Sequence, residues 1–180
     1  MFKNSTAKLA IGSLDNASLS VEAHYNPKEL AAQLTVPWAA RNAQKDAFDI
    51  EFTGAQPKTM ELEMMFDCFE GKAEDGKTVQ QQLDLLEVLA SPRVPYSDKA
   101  DELRPHYCIV TWGDQGVRAL RCVITSLVSK VTMFSREGTP LRAVANVKVQ
   151  QVHVTQKSQN DNEIGQWRAM QRRMEARDLE

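Results

Sequence analysis

Residues 59 to 69 alternate strictly enough to leave few choices of fold. Met60, Leu62, Met64, Phe66 and Cys68 share one parity, Glu61, Glu63 and Asp67 the other, and Met65 is the apolar exception. Successive side chains of a strand point to opposite faces, so the segment reads as a strand with one core face and one acidic face. A half-buried strand of this kind needs neighbours to satisfy its backbone groups.

Those neighbours are legible on both sides. Leu19, Val21, Ala23 and Tyr25 alternate before Asn26-Pro27 breaks the run, and residues 1 to 16 show no sustained period. Residues 33 to 38 are extended up to Pro37, and 39 to 46 read as a solvated loop. Phe48, Ile50 and Phe52 form another half-buried strand, and Gly54-Ala55-Gln56-Pro57 is a turn that would make 48–52 and 59–69 a hairpin. Residues 107 to 112, 117 to 134 and 141 to 155 are β-favourable, and the second is long enough to require a bend near Ser126.

The period changes only over 78 to 90. Val79, Leu83, Leu86 and Leu89 or Ala90 recur at helical steps, with Gln80 to Gln82 and Glu87 on the other side. Pro92, Pro95 and Pro105 make 91 to 105 an irregular connection. The sum is a mainly β chain, an antiparallel β-barrel or sandwich with one flanking helix. A second helix is predicted in the tail. It has an N-cap candidate in Asn160 or Asp161 and a stripe of Ile164, Trp167, Met170 or Gln171, and Met174. The expected division is an extension over 1–16, a β domain over 17–156 and a helical tail over 157–180.

Composition excludes several function classes. The 22 basic and 24 acidic side chains leave a net charge of -2, which is not the electrostatic footprint of a nucleic-acid binder. The apolar stretches are strand-sized, far short of the roughly 20 residues of a membrane helix. Residues 1 to 14 carry no h-region with a cleavage site, so synthesis and assembly in the cytoplasm are expected. Cys68, Cys108 and Cys122 are odd in number with no C-x-x-C spacing and read as buried apolar residues. His24, His106 and His153 lie far apart without local ligand partners, so neither a metal nor another cofactor is expected.

One motif points elsewhere. Gly71-Lys72-Ala73-Glu74-Asp75-Gly76-Lys77-Thr78 satisfies G-x-x-x-x-G-K-[ST] between a strand and a helix. Glu74 and Asp75 would stand beside the phosphate, and the surrounding strands read as antiparallel hairpins rather than crossovers. The loop is read as a solvated connection. A small nucleotide-binding enzyme and a monomeric β-barrel ligand-binding module remain the alternatives.

The order of segments carries a resemblance. Tyr25-Asn26-Pro27, Phe52-Thr53-Gly54, the 60–67 strand, the helix ending Leu83 to Leu89 and Val110-Thr111-Trp112-Gly113 follow one another. Val131-Thr132-Met133-Phe134 then leads into Glu137-Gly138-Thr139-Pro140-Leu141-Arg142-Ala143. Over about 19 to 154 the chain resembles the tube-protein family of contractile injection systems. That resemblance implies a phage-tail-tube-like fold and a non-enzymatic subunit in a hexameric ring around an open channel. It also implies a role as inner tube or as the adaptor joining tube to spike hub and baseplate, with the adaptor favoured. Its partners would be copies of itself, tube, spike and baseplate proteins, with no nucleic acid and no membrane insertion. Its final place would be an extracellular, membrane-anchored or phage-like particle. Longer members continue into a LysM module, for which the 180 residues leave no room, so the tail helix is expected to dock in its stead.

On that reading, 59–69 and 117–134 form the channel wall. Glu61, Glu63, Arg118, Arg121 and Lys130 would face the lumen, and Ile164, Trp167, Met170 and Met174 would dock a partner. Solvent-facing charge on a monomer is the alternative.

Overall fold

The computed structural model describes residues 7–42, 48–71, 76–113 and 117–152. Among these described residues, nine strands and two helices follow in order: β1 (Leu9–Ser13), β2 (Ser20–Glu22), β3 (Ala31–Gln33), β4 (Trp38–Asn42), β5 (Phe48–Phe52), β6 (Thr59–Asp67), α1 (Val79–Ala90), α2 (Ala100–Leu103), β7 (Cys108–Trp112), β8 (Val117–Phe134) and β9 (Pro140–Gln151). The predicted C-terminal helix lies outside the described residues.

Seven strands make one antiparallel sheet in the order β2-β1-β7-β8-β9-β6-β3. The sheet curls so that its inner face meets itself and α1. Phe66, Leu62, Met64, Leu9, Ile11, Leu86 and Leu89 form the centre of the core. A single bridge between Tyr25 and Met65, with the His24 N–H donating to the Met65 carbonyl at 3.0 Å, ties the two halves. Among the described residues one bridge is not a ladder, so the fold is a curled sandwich rather than a closed barrel.

β6 behaves as its alternation requires, burying Met60, Leu62, Met64 and Phe66 and exposing Glu61 and Glu63. β8 is 18 residues long and slips register between Ile124 and Ser126, where the bend was expected. That irregularity lets one strand serve both halves, pairing β7 at its start and β9 along the rest. Helix α1 starts at a capping box: Thr78 Oγ1 accepts from the Gln81 N–H, and the Gln81 side chain accepts from the Thr78 N–H. Such caps are worth about 1 kcal/mol.

Four expectations are corrected. Strand β1 precedes the first alternating segment and is buried on both faces, so Leu9-Ala10-Ile11-Gly12-Ser13 shows no polar alternation to detect. Ala39 to Asn42, read as loop, continue the strand that begins at Trp38, and β5 pairs with that strand rather than with β6. The reversal expected at Gly54-Ala55-Gln56-Pro57 is an irregularity within a longer ribbon. Finally, Gln82 is buried in α1, because it sits one turn from Val79 on the face that carries Leu83 and Leu86.

Candidate assembly surfaces

The ladders β3–β6 and β4–β5 are successive parts of one antiparallel ribbon. Gln33 pairs with Thr59 and Trp38 with Phe52. Between them the Gln56 N–H donates to the Thr35 carbonyl at 3.1 Å and the Thr53 N–H to the Pro37 carbonyl at 3.2 Å. Gly54, at φ 115, takes up the irregularity. Beyond β3 the ribbon leaves the main sheet, and β4 and β5 pair only with each other.

This arm is apolar where it should be wet. Trp38 is 58% exposed, Ile50 61% and Phe52 50%, with Leu34 and Val36 also exposed at its root. Trp38 and Phe52 are register partners whose rings lie 5.5 Å apart. A two-stranded hairpin is marginal on its own in water, and a clustered exposed apolar surface marks an interaction site. Ile50 and Phe52 were expected on a core face; their period is that of a core strand, and only pairing partners distinguish the two cases. Trp38 carried no signal beyond its size.

The charged outer face lies on the β6-β9-β8 half. Glu61 pairs with Lys148 and Glu63 with Asn146, and Ser126, Val128 and Lys130 continue the rows across β8 opposite Lys148, Asn146 and Val144. Lys148 Nζ sits 2.8 Å from Glu61 Oε1, an exposed pair worth about 0.5 kcal/mol. Glu61, Glu63 and Lys130 therefore share one face. Arg121 does not join them: it pairs with Ile109 at the other end of β8, nine residues or roughly 30 Å away along the strand. The side chain of Arg118 lies outside the described residues, as do Ile164, Trp167, Met170 and Met174.

The β8–β9 turn explains its own sequence. Ser135 Oγ accepts from the Glu137 and Thr139 N–H groups, and Gly138 takes φ 83. Pro140 opens β9, where a missing donor is tolerated, Ala143 is core, and Arg142 Nε donates to Asp67 Oδ2 at 2.8 Å. Burial raises the Asp67 pKa, but the Phe69 N–H and the Arg142 guanidinium outweigh it and hold the carboxyl below its ordinary value. His24 Nδ1 lies 2.9 Å from the Asp67 N–H.

A second lock fixes the proline-rich connection. Arg104 donates to both oxygens of Asp15 at 2.8 and 2.9 Å, and the Tyr107 N–H adds a bond of 2.8 Å. The guanidinium lies 3.8 Å over the Tyr107 ring, and His106 Nδ1 is 2.8 Å from Ser13 Oγ.

The phosphate-loop motif has another use for its last residue, since Thr78 caps α1. Its strand, β6, is antiparallel to both neighbours, whereas the nucleotide-binding arrangement requires a parallel sheet with crossovers. Residues 72 to 75 lie outside the described part. Among the described residues no cluster of His, Cys, Asp or Glu is arranged to hold a metal, and no helix is long and apolar enough to cross a membrane.

Residues 5–160 match the family described as contractile injection system tube protein. A comparison with curated proteins finds no match.

Proposed function

Since the chain belongs to the contractile injection system tube protein family, we propose that it is a structural, non-catalytic subunit that closes into a hexameric ring around an open channel. The ring is a layer of the inner tube or the adaptor between tube and spike hub, and its partners are copies of itself and the neighbouring tube, spike and baseplate proteins. The observation that supports this reading most is the β4–β5 arm, which carries Trp38, Ile50 and Phe52 away from the sheet with half or more of each exposed. A ring of identical subunits closes by heterologous contacts, and an apolar arm that reaches from one subunit onto the next supplies one.

The edges of the main sheet support the same division of labour. Strands β2 and β3 are three residues each, so edge-to-edge pairing offers only a short ladder, and short edges resist uncontrolled addition of strands. The β6-β9-β8 face, with Glu61, Glu63 and Lys130, lines the channel. Its mixed charges keep the wall wet and without a strong field of one sign. The test is the mass of the purified protein with and without the arm's aromatics. Replacing Glu61 and Glu63 by lysine leaves rings intact while changing what passes through them; loss of the rings would move those residues to a subunit interface.

A further inference from the structure

Cys108 and Cys122 are register partners on β7 and β8, and the backbone bonds around them turn the two toward each other. The Leu14 N–H donates to the Tyr107 carbonyl at 2.7 Å, so Tyr107 bonds toward the β1 side. The Val152 N–H donates to the Arg121 carbonyl at 3.1 Å, so Arg121 bonds away from β7. The N–H and C=O of one strand residue point the same way and alternate along the strand, which leaves Cys108 and Cys122 as a hydrogen-bonded pair. Such a pair holds its Cα atoms about 5.5 Å apart, inside the roughly 4.4 to 6.8 Å that a disulfide spans. Register partners share a face, and both side chains belong to the main core, each 0% exposed. Cys68 is remote from them. Its N–H donates to the Leu141 carbonyl at 2.8 Å, at the opposite end of β9 from Gln151, the β9 partner of Cys122.

We propose that Cys108 and Cys122 form a reversible dithiol–disulfide site, oxidised across the strands by a low-molecular-weight disulfide and reduced again by a thiol. The site goes beyond the ring reading and does not depend on it. One cysteine thiolate attacks a sulfur of the reagent, releasing one reagent thiol and leaving a mixed disulfide. The second thiolate attacks the protein sulfur of that mixed disulfide, forming the cross-strand bond and releasing the other reagent thiol. The two protons and two electrons that the pair loses are those the reagent's two sulfurs gain. In the folded chain the Cys108 S–H donates to the His106 carbonyl at 3.5 Å, and burial pushes its pKa up to about 12. Exchange therefore goes through chains whose β7–β8 ladder has opened, and closure seals whichever state was reached. The ladder also sets the bond's character. Directly opposite Cβ atoms lie about 4.5 to 5.5 Å apart, against a mean of about 3.8 Å across a disulfide, so this rung must draw in. A bond placed there is more easily reduced than a relaxed one.

The test uses the full chain in a Cys68→Ser background. The protein is held in excess oxidised glutathione near its urea midpoint, returned to buffer, and its free thiols are alkylated after denaturation. The expected product is an internally linked chain, two hydrogens lighter, with the parent's circular dichroism. Dithiothreitol returns both thiols about tenfold or more slowly in buffer than in denaturant, because reduction waits for the same opening. Thiols that stay free, glutathione retained on one cysteine, linked dimers, or a linked chain that does not regain the parent's circular dichroism would each overturn the proposal.

Discussion

The indole of Trp38 and the ring of Phe52 face each other at 5.5 Å on the arm that leaves the main sheet, and each is at least half exposed. Aromatic pairs of this kind are worth roughly 1 kcal/mol beyond burial. Here the pair leaves most of its surface open, so its main contribution is expected to come on assembly. Replacing both by serine abolishes rings and leaves the monomer's circular dichroism melt within a few degrees of the parent. Light scattering and a thermal scan check the two halves of that statement.

The Asp67–Arg142 contact joins β6 to the start of β9. Arg142→Met leaves a largely buried carboxylate with fewer donors, at a cost of about 2 kcal/mol. The expected result is a lower urea midpoint with an unchanged slope. Asp67→Asn in the same background recovers part of the loss, because it removes the unpaired charge.

Acid should loosen the fold in two stages. Burial lowers the His106 pKa below its ordinary 6.5, Arg93 and Arg104 add to the effect, and Asp15 only partly opposes them. The unfolded chain therefore binds a proton that the folded chain refuses, so His106's contribution is complete above about pH 6.5 and falls as pH drops toward its folded value. Asp15 is also lowered: burial opposes its ionisation, but the Arg104 and Tyr107 bonds and the nearby guanidinium groups outweigh that. Its contribution is present above the ordinary 3.8 and is lost as pH falls further. His106→Gln removes the first decline in melting temperature and keeps the second.

The thiols should divide by burial. Desolvation pushes Cys108 up to about 12 and raises Cys122 as well, and the two are buried register partners on β7 and β8. Cys68 is only partly buried. A thiol reagent at neutral pH labels Cys68 first, and labels the other two only at the rate of unfolding. Rapid labelling of all three would show that β7 and β8 open without global unfolding.

Thr78→Ala costs about 1 kcal/mol through loss of the cap. Nucleoside triphosphates do not shift the melting temperature of either form. A nucleotide-dependent rise that Thr78→Ala removes would return the 71–78 loop to a phosphate-binding role.

What was legible in the chain follows from burial. β6 and α1 each have one wet and one dry face, so their periods of two and about 3.6 are written in Glu61 and Glu63, or in the Val79, Leu83, Leu86 spacing. The bend near Ser126 followed from a β-favourable run too long for one flat strand. β1 was silent because both its faces are covered, and the arm was misread because Phe48, Ile50 and Phe52 alternate as a core strand does. On the proposed function, the arm's exposed apolar surface is a core face whose other half belongs to another molecule, a distinction that the alternation of a single chain does not display.

The most direct test of the account is the mass and negative-stain image of the purified protein, alone and co-expressed with its neighbours. The account predicts annular particles with an open centre and about six times the 20.2 kDa chain mass. A persistent 20.2 kDa monomer in both preparations would contradict it.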